Sequence, residues 1–512
     1  MIVRILLAVI YATLLSIVSR KCLHYYQLCS YRCNINYLCL YKSKYGCMLL
    51  CLGIITHLAL VMLPFFSLST AFCYALLLSL LLPTGLYVLL SKSKTQLHIT
   101  RRLLRLCALQ YVTLGVGCYF AQLLNSSIIL PLLCLFLPLL LPLSNIILTP
   151  LELAINYYYL NKASHKLINS ACTVIGITGS YGKTSVKNIL STLLGDCIAT
   201  PHSYNTPLGI AKFINQTDIN TTYVIVEMGA KHRWDIDKLC RLYKPTYGII
   251  TGIAPCHIQT FGNMTNLINT KQELLLNLPD SGLCVMPDNL RTTTFAQVGK
   301  CKRLFVPLSQ SSSACKNCPT IDNIKCSSMG SSFTLHYNGK QVECNTILVG
   351  EHNIHNIELA CAMALYLGVE LDSIAQSIAT LQPIPHRLCL IKQNGFTILD
   401  DSYNANIDGV RALCSVLGMF TCKRLIITQG IVEQGKHQQE QNVLVGQLLS
   451  SCADIVCVVG SNSTYITQGL LNKHFDINNI YVANSLEHAV QLLSNQLMGN
   501  LLVFQNDLPD NL

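Results

Sequence analysis

The sequence predicts an α/β protein: an N-terminal helical transmembrane region, a phosphate-loop central domain and a Rossmann-like C-terminal domain. Three observations carry this expectation. Long apolar stretches crowd roughly the first 150 residues and stop there. After Pro150, short apolar runs alternate with amphipathic stretches, the pattern of parallel strands covered by helices. One run, 172–178, opens into a glycine-rich turn and then Lys-Thr-Ser, the order of strand, phosphate-holding loop and helix. The parts fall at about 1–150, 151–382 and 383–512, with Pro383 and Pro385 of "LQPIPHR" marking a hinge that suits domain closure.

Five apolar stretches, at about 3–19, 47–66, 70–91, 105–124 and 127–149, each approach the length a helix needs to cross a bilayer. The first is read as a span, because no small-residue cleavage pattern follows it and further spans do. Arg20, Lys21, Arg32, Lys42 and Lys44 lie between the first two stretches, and Lys92, Lys94, Arg101 and Arg102 between the third and fourth, with Arg105 flanking the start of the fourth. The links at 67–69 and 125–126 carry no basic residue. With basic loops inside, five crossings of an inner (plasma) membrane put the N-terminus outside and everything after Thr149 in the cytoplasm. A surface position for 105–124 is the alternative, and an even number of crossings would put the remainder outside. No acidic residue interrupts the spans, which disfavours a transporter.

Only 12% of residues are charged, against about 25% in ordinary soluble chains. Much of the +11 net charge flanks the apolar runs, pointing to a bilayer surface, and no basic, aromatic-interleaved stretch points to nucleic acid. The 26 cysteines are scattered, several inside apolar runs, and read as reduced, small apolar side chains. Cys315 and Cys318, with Cys301 and Cys326 nearby, are a weak zinc candidate because the CxxC has no matched second pair.

In the soluble part, strands are expected within 172–178, 223–229, 247–254, 396–403, 424–430, 454–460 and 501–507, with functional residues at their carboxyl ends. Gly179, Ser180, Gly182, Lys183, Thr184 and Ser185 form the expected phosphate cradle. Its backbone N–H groups and the helix N-terminus face the phosphates, Lys183 reaches the outer ones, and Thr184 helps hold Mg²⁺. Glu227 and His257 follow two neighbouring runs and suit a second divalent ion, although a helix cap and a backbone-bonded loop histidine account for them equally well singly. The stretch at about 301–345 is Ser/Cys-rich and reads as an insertion with some strand content.

These motifs resemble the Mur ligase family. The resemblance runs over about 172–460 through "GITGSYGKTSVKNIL", "NTPLGIAKFI", "VIVEMGAKHRWDIDKL", "APCHIQTFGNMTNLINTKQELL", "GEHNIHNIELACAMALYLG" and "HRLCLIKQNGFTILDDSYNAN". "VEMGA" and "DDSYNAN" favour the branch that adds D-Ala-D-Ala to a muramyl-peptide precursor. The resemblance implies ATP-dependent amide synthesis: a substrate carboxylate becomes an acyl phosphate, and an amine displaces phosphate. It further implies that Thr184 and Glu227 hold one Mg²⁺, that His257 helps hold another, and that Lys271 is carbamylated and joins the metal site. His352, Asn353 and Asn356 match the adenine-side motif, and Arg387 and Asp401 the groups that close over the nucleotide. Tyr403, Asn404 and Asn406 match the amine side, and Asn205, Thr206 and Gly209 a loop meeting the first substrate.

Three departures bear on the substrates. Apolar stretches stand where soluble members carry a uridine-gripping domain, "QGIVEQG" replaces an Asp-Met-x-Glu-Leu-Gly segment, and the C-terminal Lys-Gly-Ser segment is missing. The membrane region is therefore expected to anchor the enzyme or to bring it beside a lipid-linked precursor. A P-loop transport ATPase lacks its signature segment here, a non-catalytic scaffold is expected to lose Lys183, Glu227, His257, Lys271 or Arg387, and an amidating relative is expected to carry a four-cysteine ribbon.

Overall fold

The computed structural model describes residues 2–28, 31, 97–123, 133, 136–201, 204–256, 258–307, 318–393, 395–403, 406–432 and 434–506. His257, Asn404, Cys315, the second and third apolar stretches and the start of the fifth lie outside them. The chain divides into two compact units, Met1–Tyr157 and Tyr158–Asp510.

The first unit, where described, is helical: Ile2–Val18, Arg20–Leu28, Arg101–Leu123 and the start of Leu137–Ile168. Tyr11, Leu15, Tyr26, Leu106 and Leu114 are buried in its core. Arg105 forks onto Glu152 through two hydrogen bonds of 2.6 and 2.8 Å, and Arg102 reaches Asn145 at 3.1 Å. Among the described residues, Arg101–Phe120 and Leu137–Ile168 are long and apolar enough to cross a membrane. The sequence ends the last apolar stretch at 149, whereas the helix runs through Pro142 and Pro150 to Ile168. Proline removes one helical hydrogen bond but does not end a helix whose following residues favour it, and no stop signal appears before Asn169-Ser170.

Among the described residues, the second unit contains three sheets. The first is parallel, in the order β2-β3-β1-β4-β5-β6. Its strands are β1 (Thr173–Thr178), β2 (Cys197–Ala199), β3 (Tyr223–Glu227), β4 (Tyr247–Ile250), β5 (Leu283–Pro287) and β6 (Lys302–Val306). Ile175, Ile225, Ile249 and Val285 are buried, because helices cover both faces, so these strands read as continuous apolar runs. From β1 the chain passes to β2 and β3 on one side and then crosses to β4 on the other, which opens a crevice at the carboxyl end of β1.

The 301–345 region resolves into β6 and an antiparallel meander of β7 (Thr320–Ser327), β8 (Gly330–Tyr337) and β9 (Lys340–Thr346). The phosphate-loop helix Lys183–Leu194 packs on helix Glu351–Tyr366, and their apolar faces join one core with residues of that meander.

The third sheet has the order β10-β11-β15-β12-β13-β14. Its strands are β10 (Cys389–Gln393), β11 (Phe396–Asp401), β12 (Arg424–Thr428), β13 (Ile455–Val459), β14 (Ile480–Ala483) and β15 (Leu501–Gln505). Only β10 runs antiparallel to its neighbour, so this is a nucleotide-fold-like sheet with one reversed edge. All seven strands expected from the sequence are present within the expected ranges.

Candidate active site

The loop after β1 is shaped by what surrounds it. Gly179 has φ 151°, and a Cβ there would collide with the Thr251 hydroxyl. Gly182 has φ 73° and caps the phosphate-loop helix in the left-handed region, where a Cβ would stand 2.6 Å from Asn356 Oδ1. Both positions therefore need glycine. The Thr251 hydroxyl donates to the Tyr181 carbonyl, and Ser180 N–H donates to Gly252 O at 2.9 Å, so the loop is stitched to the end of β4. Among the described residues, the buried Ser180 hydroxyl meets no hydrogen-bond partner. A phosphate oxygen in the cradle is the partner such a group lacks.

Glu227 closes β3 beside β1, because Ile177 pairs with Glu227 in the parallel register. Its Oε1 accepts from Thr184 Oγ1 at 3.2 Å and its Oε2 from Lys187 Nζ at 3.0 Å. Lys183 Nζ donates to Gly179 O at 2.9 Å. Burial lowers the Lys183 pKa, against the pull of Glu227. Lys271 is buried on helix Met264–Asn277. Burial first and Lys183 second bring its pKa down to about 7. The ammonium of such a lysine is easily lost.

The C-terminal sheet contributes the opposite wall. Arg387 Nη2 donates to Thr184 Oγ1 at 3.2 Å, and its guanidinium lies 4.2 Å from the centre of the Tyr403 ring. Its neighbours His386 and Leu388 have φ of 64° and 46°, a left-handed pair that holds Arg387 in place. His386 Nδ1 lies 2.9 Å from both Ser402 Oγ and Asp400 Oδ2, and Tyr403 N–H donates to His386 O at 3.1 Å. The carboxyl of Asp401, at the end of β11, is raised to about 7 by burial despite the nearby Arg387.

A cavity of ≈ 230 Å³ lies between this hinge and the phosphate-loop helix, lined among others by Ser185, Asn188, Asn353, Thr380, Pro383 and Arg387. The Asn353 side chain donates to Val349 O at 2.9 Å. Burial, then His355, brings His352 down to about 4, so its imidazole is neutral at physiological pH.

The substrate-side residues expected from the sequence hold local structure. Thr206 caps helix Pro207–Gln216 by accepting from Gly209 N–H, and Asn406 caps helix Ile407–Leu417 by accepting from Gly409 N–H at 2.8 Å. Gly229 leaves room for Asn205, whose side chain lies 2.7 Å from where a Cβ would stand.

Sequence reasoning missed Lys187, Thr251 and Glu273. Lys187 is one helical turn beyond Lys183, a spacing that places both on one helix face. Glu273 accepts from Trp234 N–H at 2.7 Å and Asp237 N–H at 2.9 Å, tying the Lys271 helix to the segment after β3. Cys318 Sγ instead contacts Phe305 O, and among the described residues no group of three or more His, Cys, Asp or Glu is placed to hold a metal. A hydroxyl and a single carboxylate, as at Thr184 and Glu227, fit Mg²⁺, which keeps phosphate oxygens and waters as its remaining ligands.

A strand–loop–helix phosphate cradle, an acidic strand end and a second nucleotide-fold-like domain reaching back to the loop define a nucleoside-triphosphate-dependent ligase. The Mur ligase middle domain matches residues 177–364, and the Mur ligase, glutamate ligase domain matches 386–504. The chain belongs to the Mur ligase family, whose members are ATP-dependent ligases. It is 29% identical to the UDP-N-acetylmuramoyl-tripeptide–D-alanyl-D-alanine ligase of Escherichia coli over 59% of this chain and 68% of that one. To the Mycobacterium bovis ligase of the same name it is 30% identical, over 48% of this chain and 49% of that one. The structure is similar to MurF from Acinetobacter baumannii (TM-score 0.62, 22% identity, 69% of this chain and 77% of that one). It is similar also to Thermotoga maritima MurF in complex with ADP (TM-score 0.61, 21% identity, 69% and 80%).

Proposed function

We propose that this chain joins D-Ala-D-Ala to a muramyl-tripeptide in peptidoglycan precursor synthesis, by ATP-dependent amide formation through an acyl phosphate. The observation that carries this reading is the convergence of Lys183, Thr184, Glu227 and Arg387 on one crevice, with Arg387 arriving from the other domain. Such a site positions phosphates and offsets charge, which is most of what phosphoryl transfer requires.

Thr184 and Glu227 are the residues that would hold Mg²⁺, which offsets charge on the phosphoryl group in transfer. Lys183 leaves its carbonyl partner for the incoming phosphates. The neutral His352 and Asn353 serve the adenine side, next to the hinge cavity. With its pKa brought down to about 7, Lys271 gives up its ammonium proton far more readily than an ordinary lysine, which near neutral pH is uncharged in only about one molecule per thousand. That supports its reaction with CO₂ to a carbamate, which replaces a cation with an anionic ligand beside the metal site. Arg387 bridges the hinge and ties closure to occupancy of the loop.

The test is phosphate release from ATP in the presence of each substrate, alone and together, with ¹⁸O in the acceptor carboxylate. The reading expects turnover only with both and one labelled oxygen in the phosphate; unlabelled phosphate overturns it.

We further place the first unit in the inner (plasma) membrane with the ligase domains in the cytoplasm. Supporting this, Ile146, Ile147 and Leu153 stand exposed on the Leu137–Ile168 helix, and Val112 and Val116 on Arg101–Leu123. Protease mapping of sealed vesicles in both orientations tests it, and cleavage of residues 158–510 from the external side rejects it. One observation favours a lipid-linked acceptor as a second reading: the described residues of the first unit form helices only, with no uridine-gripping α/β fold. Offering UDP-linked and lipid-linked tripeptides side by side decides between them.

A further inference from the structure

Lys187 is held where few lysines are. Its side chain is 1% exposed and that of Glu227 3% exposed, and they meet at 3.0 Å. The two oxygens of Glu227 are thereby given different tasks. Oε2 is taken by Lys187, while Oε1 faces Thr184 Oγ1. Lys187 sits on the covered side of the phosphate-loop helix, whereas Lys183, one turn earlier, binds its own loop.

The consequence concerns which metal the carboxylate accepts. Mg²⁺ demands near-octahedral ligands at about 2.0–2.1 Å and takes a carboxylate through one oxygen. Ca²⁺ is larger, takes six to eight ligands and readily uses both oxygens of a carboxylate. A Glu227 with one oxygen engaged by a buried ammonium favours the first geometry over the second. The buried ammonium also offsets the carboxylate before any metal arrives, which an unpaired buried charge would require of something else.

We propose that Lys187 is a positioning residue for metal selectivity: it confines Glu227 to one-oxygen coordination and so makes the nucleotide site prefer Mg²⁺ or Mn²⁺ to Ca²⁺. The proposal rests on the reading of Thr184 and Glu227 as the metal-holding pair.

The experiment uses the full chain in detergent with ADP and reads bound Mn²⁺ by electron paramagnetic resonance. Mg²⁺ or Ca²⁺ is titrated as competitor, and Mn²⁺–ADP without protein is subtracted. Wild type should favour Mg²⁺ over Ca²⁺ more strongly than ADP alone does. Lys187→Met frees Oε2 and should narrow that preference about tenfold, the scale of one hydrogen bond to a charged group. Lys187→Gln keeps a donor for Oε2 and should stay near wild type in selectivity. A wild type that discriminates no better than free ADP overturns the proposal without any variant, as does a folded Lys187→Met with unchanged discrimination. If wild type binds no Mn²⁺–ADP at all, the failure lies with the metal-pair reading itself.

Discussion

Glu227 closes a strand at the carboxyl-terminal edge of the first sheet, where the strands end, and Glu358 lies mid-helix in the core behind the phosphate loop. The first is 2% exposed and the second 0%. Glu227 has Lys187 on one oxygen and Thr184 on the other. Among the described residues neither oxygen of Glu358 meets a side-chain partner, and burial, only partly offset by the backbone N–H of Ile321, drives its pKa well above the usual carboxylate range. The strand-end edge gathers cations around its acid because nucleotide chemistry needs that charge in place. The helical core offers no charged partner among the described residues, so burial there favours the protonated acid. Burial of a charged residue type marks a site only where partners have been assembled with it.

The largest effect tests the edge directly. Lys183→Ala should lower kcat by at least about a thousandfold, the scale of losing a preorganised charge partner in phosphoryl transfer. Phosphate release measures it, and activity within tenfold of wild type would remove the loop from the reaction.

Lys271 sharpens the same side of the comparison, because it also is buried but is pulled down to about 7. Carbamate formation needs the neutral amine, so activity should fall as pH drops through about 7 and as bicarbonate is removed. Lys271→Met should cost roughly ten- to a hundredfold, as for groups that tune a metal site. ¹³C-bicarbonate should give wild type a carbamate resonance that the variant lacks; an identical spectrum in both rejects the modification.

The edge was far more legible in the sequence than the core. A run of β-branched residues leading into Gly-x-x-Gly-Lys-Thr specifies strand, turn and helix by local rules, and Glu227 stood out as an acid ending an apolar run. Lys187 was hidden because a lysine on a helix is ordinarily a solvated one, and only the register of β1 with β3 brings it to Glu227. Glu358 was hidden for the same reason: "HNIHNIELACAMALY" gives no sign that this turn of the helix faces a core on every side. Arg105 with Glu152 needed a pairing across 47 residues, which no local pattern supplies. The meander at 320–346 was blurred by its polar-rich strands, which lack a continuous apolar run.

Glu358 offers a stability test of intermediate size. Its folded pKa lies above its unfolded value, so its protonated form favours folding at low pH. That contribution is complete below the unfolded pKa, near 4.5, and is lost as pH rises toward the folded pKa. Glu358→Leu removes the buried carboxyl and should raise stability at pH 8 by about 1–3 kcal/mol, with less gain at pH 5. Thermal unfolding of the two proteins at both pH values measures it. A variant destabilised at pH 8 would mean that Glu358 has found a partner and belongs with Glu227.

The smallest effect separates a structural role from a chemical one at a residue assigned to the amine side by motif. Asn406 uses its carbonyl oxygen to cap helix Ile407–Leu417, which leaves its amide NH₂ to act elsewhere. Asn406→Ala removes both functions and should cost about 1 kcal/mol of stability, the usual value of such a cap. Asn406→Asp keeps an acceptor for Gly409 N–H and removes the amide donor. Stability should therefore survive in the Asp variant while KM for D-Ala-D-Ala rises and kcat changes little. If KM is unmoved in both variants, Asn406 holds the loop alone, and the contact with the amine passes to its neighbours. That outcome would extend the lesson of Glu358 to a polar side chain: a position matched by motif can be occupied entirely by the fold.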